Sequence, residues 1–123
     1  MPLAERLPAL QQALRDAGLD GWLLYEWQGQ NPVANALLHL GSHVTRRAFA
    51  WIPAEGTPVA LAHAIERHLW RQWPAAWETR VYSGWAELEA MLAALVGGRT
   101  VAMEYSPGNA VPYVDRVPAG VLE

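Results

Sequence analysis

Arg47-Ala48-Phe49-Ala50-Trp51-Ile52, Pro53-Ala54-Glu55-Gly56-Thr57 and Pro58-Val59-Ala60-Leu61-Ala62 form two apolar runs joined by a short polar stretch. Each run has strand length, and the connection has hairpin length, with Gly56 available for an unusual backbone angle. This stretch decides the fold class. On both sides of it strands alternate with helices, which alone would mean a parallel α/β sheet. An antiparallel hairpin in the middle makes the sheet mixed.

Upstream, Leu3, Leu7, Leu10 and Leu14 make one apolar stripe, with Gln11, Gln12, Arg15 and Asp16 mostly on the other side. Pro8 is expected in the first turn, so the regular helix should begin near Glu5 to Leu7. Gly18 is its expected stop. Trp22-Leu23-Leu24-Tyr25 is an unbroken apolar run and reads as a central strand covered on both faces. Asn31-Pro32 opens a second helix over Val33 to His39, with Asn31 as its cap and Gly41 as its end.

Downstream, Ile65 to Trp73 predicts a short helix stopped by Pro74, and Thr79 to Tyr82 a further strand. Ser83 can cap a helix whose stripe is Trp85, Leu88, Leu92 and Leu95, ended by Gly97-Gly98. Thr100 to Tyr105 reads as the last buried strand, and Ser106-Pro107-Gly108-Asn109 as a turn. The order is helix, strand, helix, hairpin, helix, strand, helix, strand. The chain stops at Val121-Leu122-Glu123, where a further helix is expected to cover the last strand, so residues 1–123 read as one truncated domain.

Composition narrows the function. With 52% hydrophobic and 17% charged residues, the 123-residue chain can bury a core without metals or disulfides. A net charge of -3 gives no electrostatic case for nucleic acid or an anionic membrane. The absence of cysteine excludes disulfides, thiolate-bound zinc and thiol nucleophiles. No apolar run approaches the roughly 20 residues of a membrane span, and the first residues lack a signal-peptide pattern, so the expected compartment is cytoplasmic.

The candidate chemistry is sparse. His39 and His43 have a metal-ligand spacing, but Gly41 breaks the helix between them and no carboxylate lies near in sequence, so a structural role is expected. His63 and His68 are expected at the hairpin's end and on a helix surface. Glu26 and Glu104 could face each other if their strands are neighbours. A two-metal nuclease would need a further acid and a basic surface, and the only Asp residues are Asp16, Asp20 and Asp115. Both Glu are therefore expected to be ordinary polar strand ends. No phosphate-binding glycine loop and no GxSxG elbow occurs. Of seven Trp, Trp22, Trp51 and Trp85 are expected to face a core. Trp27, Trp70, Trp73 and Trp77 fall at element ends or in loops, where packing or a contact surface explains them. In His43-Val44-Thr45-Arg46-Arg47 a solvated strand start stands beside a carboxylate clamp. Strand alternation would then let only one of the two Arg reach a ligand.

Several stretches resemble the N-terminal domain of the creatinase, prolidase and aminopeptidase P family of metallopeptidases. They are Gly18-Leu19-Asp20-Gly21-Trp22-Leu23-Leu24-Tyr25, Asn31-Pro32-Val33-Ala34, Thr45-Arg46-Arg47-Ala48-Phe49-Ala50-Trp51-Ile52-Pro53-Ala54-Glu55-Gly56, and Val101-Ala102-Met103-Glu104-Tyr105-Ser106-Pro107. The resemblance covers essentially the whole chain. It implies a three-layer α/β/α domain with a mixed, ribonuclease-H-like sheet that is not itself catalytic. In that family a following pita-bread domain holds two divalent metals with two Asp, one His and two Glu and cleaves the bond before proline. None of those ligands carries over to residues 1–123, so no catalytic or metal residue and no cofactor is expected in this chain. The resemblance further implies a homo-oligomer and a peptide substrate only in the full-length protein. It places the loop His39 to Arg47 at the substrate entrance, with His43, Arg46 and Arg47 as candidate substrate-loop residues. The rival expectation is a stand-alone, non-enzymatic α/β module that binds a partner protein or a small acid.

Overall fold

The hairpin forms the centre of the molecule. In the computed structural model, which describes residues 2–28, 30–41, 44, 46–104, 117 and 121, β2 (Ala48–Pro53) and β3 (Val59–His63) pair antiparallel, with Phe49 opposite Leu61 and Trp51 opposite Val59. β1 (Gly21–Glu26) adds antiparallel to the other side of β2, with Leu23 opposite Trp51. β4 (Glu78–Tyr82) and β5 (Val101–Ala102) close the two edges in parallel, giving a mixed five-strand sheet in the order β4-β3-β2-β1-β5.

Side-chain alternation sorts the strands into two apolar clusters. Leu24, Ala48, Ala50, Ile52, Ala60 and Ala62 pack with α1 (Leu3–Asp16), α2 (Pro32–Leu38) and the 3-10 helix Ala64–Trp70. Leu23, Tyr25, Phe49, Trp51, Leu61 and Tyr82 pack with α3 (Trp85–Val96). The first set is rich in Ala, which lets helices approach closely. The second carries the large aromatics and meets α3, with Val117 and Val121 also packed against it. A helix is about 10 Å across, while five strands at about 4.8 Å span nearly twice that, so α3 cannot cover its face alone. A cavity of about 840 Å³ lies between α3 and the sheet, and Val121 lines it.

Several boundaries differ from expectation. α1 starts at Leu3, and Pro8 lies inside it rather than in its first turn. The carbonyl that Pro8 leaves without a helical donor belongs to Ala4, which is exposed and can bond water, while Leu3 and Leu14 gain burial. α1 ends as expected at Gly18, where Leu19 N–H bonds Leu14 O at 2.9 Å and Gly18 has φ +72°. α2 ends at Leu38, and His39 rather than Gly41, two positions on, takes the left-handed angle at its end, φ 55°. The helix after β3 is 3-10 rather than α. Its entry is fixed by His63, whose Nδ1 accepts from Ile65 N at 3.1 Å. β5 is two residues long within the described span, and Tyr105 with the expected turn after it lies outside the described residues.

The polar side of α1 holds the hairpin's connection. Gln11 Nε2 donates to Pro53 O and Gly56 O at 3.0 and 2.9 Å, and Arg15 donates to Ala54 O at 2.8 Å. Asp20 joins three segments. Its N–H bonds Thr100 O, its carbonyl accepts from Ala54 N, and its carboxylate accepts from Thr100 N, each at 2.8 Å. These bonds set the level at which β1, β2 and β5 meet. Gly21, next in sequence, is required sterically: a Cβ there would stand 2.2 Å from the Trp51 ring.

Candidate functional site

Two groups of polar residues sit at the end of the sheet where β1 finishes and β2 begins. The first is a buried carboxyl cluster. β1 and β5 are parallel neighbours, so Glu26 and Glu104 do come to the same end of the sheet. Neither is an ordinary polar strand end: Glu26 is 0% and Glu104 6% exposed. Asn31 bridges them. Its Nδ2 donates to Tyr25 O at 2.7 Å and to Glu104 Oε1 at 2.6 Å, and its backbone N–H reaches Glu26 Oε1 at 3.2 Å. Glu26 Oε1 also accepts from Trp27 N at 2.7 Å, and Glu104 Oε2 from Trp22 Nε1 at 2.6 Å. Asn31 remains the cap of α2 through Ala34 N. Burial raises the Glu104 carboxyl above the ordinary glutamate value. The Trp22 and Asn31 hydrogen bonds oppose that rise, and the Glu26 charge adds to it. Both Glu104 oxygens thus accept short bonds from fixed donors, and the cluster fastens β1, α2 and the chain after β5 together. The signal available in sequence was Asn31-Pro32 after one strand and a lone Glu late in another, but the bridge depends on strand order.

The second group lines a cavity of about 660 Å³ beside it. Arg46, Arg47, His63, Tyr25, Tyr82 and Trp85 are among its walls, together with Trp27. Arg46 and Arg47 line the same cavity. The expected alternation does not apply, because β2 starts at Ala48 and both Arg precede it. The Arg47 guanidinium lies 3.4 Å from the centre of the Trp85 ring, and its carbonyl accepts from Tyr82 Oη. Arg46 N–H donates to the buried carboxylate of Glu66 at 2.7 Å, which pins the loop to the 3-10 helix. The His63 ring meets Tyr82 edge-on at 5.2 Å. Burial pushes the Tyr82 phenol above its ordinary value; Arg47 and Arg46 oppose this and Glu66 adds to it. Tyr25 is likewise raised by burial, with Arg47 opposing and Glu26 adding.

Of the three expected substrate-loop residues, Arg46 and Arg47 come together here, and His43 lies outside the described residues. His39 is exposed at the end of α2, and His68 is exposed on the 3-10 helix. Among the described residues, no three His, Cys, Asp or Glu are grouped so as to hold a metal ion, and no helix is long and apolar enough to cross a membrane.

The tryptophans divide differently from expectation. Trp51 is buried and Trp22 half-buried, but Trp85 is 61% exposed because it begins α3 at the cavity's rim. Trp70 and Trp73, expected at element ends, are buried and stack edge-on, with Trp77 against Trp73. Sequence periodicity put Trp85 on the α3 stripe, and only its place at the first turn takes it off the sheet.

No family model and no curated protein matches the chain. Among the described residues the architecture is an α/β domain with four helices, one of them 3-10, and a five-strand mixed sheet, carrying an arginine-lined, aromatic-walled cavity at one end.

Proposed function

We propose that this chain is the N-terminal, non-catalytic domain of a proline-specific metallopeptidase of the creatinase, prolidase and aminopeptidase P type. In this reading the domain has the family's three-layer α/β/α, ribonuclease-H-like form. It serves dimer assembly and the substrate entrance, while two divalent metals in a separate pita-bread domain supply the hydrolytic chemistry. The observation that carries the reading is the joint placement of Arg46 and Arg47 in one aromatic-walled cavity immediately before β2. A planar guanidinium fork matches a peptide carboxylate, and two of them at an entrance would select substrates by their free C-terminus.

The test is made on the product of the complete reading frame, purified with Mn²⁺ and given Xaa-Pro substrates with free and amidated C-termini. Hydrolysis is expected. Arg46→Ala and Arg47→Ala should each lower kcat/KM for the free acid by about 10- to 150-fold, the effect of one charged hydrogen bond, and spare the amide. A complete product that leaves all Xaa-Pro bonds intact would reject the peptidase reading. Equal losses on both substrates would remove the Arg residues from the entrance.

A further inference from the structure

The cavity at the start of β2 has a chemistry of its own. Its cationic wall is Arg46 and Arg47, and its other lining residues include three indole or phenol rings that are fixed by contacts. Tyr25 packs against Phe49 with ring centres 5.2 Å apart, Tyr82 is held by Arg47 O and the His63 ring, and Trp85 carries the Arg47 guanidinium on its face. A guanidinium stacked on a ring has one face covered, yet it keeps its in-plane N–H donors for an acceptor arriving edge-on. Among the described lining residues there is no carboxylate side chain, and no described residue forms an ion pair with Arg47. The cavity's volume, about 660 Å³, lies in the range of small-molecule sites, which combine apolar walls with a few polar anchors.

We infer that this cavity is a binding site for a small organic acid: a carboxylate on the Arg46–Arg47 wall with an apolar or aromatic body against Trp85, Tyr25 and Trp27. Carboxylate is favoured over phosphate by geometry and surroundings. A stacked Arg presents one planar fork, which fits a planar two-oxygen acceptor, and the other described lining residues are mostly aromatic, with Ser83 the one hydroxyl outside the two phenols. Trp27 and Trp85 are 36% and 61% exposed, so an apolar body seated between them would remove ring surface from water. The inference stands on the cavity alone. It holds whether or not the chain belongs to a peptidase.

Titration of purified chain 1–123, followed by the indole N–H resonances and by calorimetry, tests it with phenylacetate, phenylacetamide and inorganic phosphate as probes. Phenylacetate is expected to bind saturably, with a dissociation constant on the order of 1 mM for so small a ligand. The shifted indole resonances should be those of Trp27 and Trp85. Phenylacetamide, which keeps the ring and lacks the charge, should bind about tenfold more weakly or worse. In Arg46→Gln or Arg47→Gln the preference for acid over amide should fall about tenfold. The comparison of acid and amide on the unaltered chain is independent of how any variant folds. The inference is overturned if phenylacetate shows no saturable binding, or if the amide binds as tightly as the acid. It is equally overturned if phosphate competes at lower concentration than phenylacetate binds, or if both Arg variants keep the full acid preference.

Discussion

At the residue scale, the buried carboxyl cluster has the clearest consequence. The Glu104 carboxyl is raised above the ordinary glutamate value chiefly by burial. A carboxyl whose folded value exceeds its unfolded value stabilises the fold while it is protonated in both states, and that contribution is lost as the pH rises through the folded value. Glu104→Gln removes the titration but also one acceptor, because Trp22 and Asn31 donate to different carboxyl oxygens and the NH2 that replaces one of them cannot accept. The substitution should therefore destabilise at every pH, with the larger loss in acid and the smaller at neutral pH. Urea unfolding at pH 4 and pH 7 measures this difference. A loss that grows from acid to neutral pH would show that the ionised carboxylate is the form the fold prefers. The sequence allowed Glu26 and Glu104 to face each other only if their strands were neighbours, and otherwise they read as polar strand ends. The pairing needs β5 beside β1, and strand order is a property of the sheet.

Element boundaries depend on which residue absorbs the awkward backbone angle at each helix end. At α1 the residue is Gly18, as its type suggests. At α2 it is His39, with φ 55° and ψ 42°, although Gly41 stands two positions on and also has positive φ. The reason is the register of the apolar stripe: Ala34 and Leu38 face the core, and Leu40 must be turned inward after them, so the chain reverses at 39. A non-glycine residue pays about 1 kcal/mol for the left-handed region. His39 is exposed, and the cap bond there is a backbone one, His39 N–H to Asn35 O at 2.9 Å. His39→Gly should accordingly keep the fold and leave stability unchanged or raised by up to about 1 kcal/mol, the residual cost of glycine entropy partly offsetting the relief. A thermal-unfolding midpoint that falls clearly below that of the parent chain would mean the imidazole makes a contact of its own. The α3 boundary carries the opposite lesson. Periodicity identified Leu88 and Leu95 as core residues, and it could not tell that Trp85, on the same stripe, would stand at the cavity rim.

For the whole molecule, the two clusters meet on β2, whose six residues are all buried and whose neighbours on both sides are antiparallel. Among the described residues β5 is paired on one side only and shares two residues of register with β1. The free energy of local opening should follow this gradient. Amide hydrogen exchange is expected to be slowest in β2 and the facing halves of β1 and β3. It should be faster by orders of magnitude in β5 and the 3-10 helix, where fewer apolar contacts must be broken. Uniform protection across all five strands would contradict a core centred on the hairpin.

The sequence by itself determined the succession of elements, the antiparallel hairpin and hence the mixed sheet, the Asn31-Pro32 start of α2 and the apolar faces of α1. These depend on spacing, on capping chemistry and on the few residue types that tolerate a turn, all of which act over a handful of positions. Tertiary structure decided the rest. It placed Glu104 against Asn31, laid Arg47 on Trp85, and brought Arg46 and Arg47 to one cavity by starting β2 a residue later than the apolar pattern suggested. Contacts between residues 73 apart, as for Asn31 and Glu104, or 38 apart, as for Arg47 and Trp85 (85 − 47), depend on which strands become neighbours and which face a helix covers. That choice minimises the exposed apolar area of the whole chain, and no local stretch of sequence contains it.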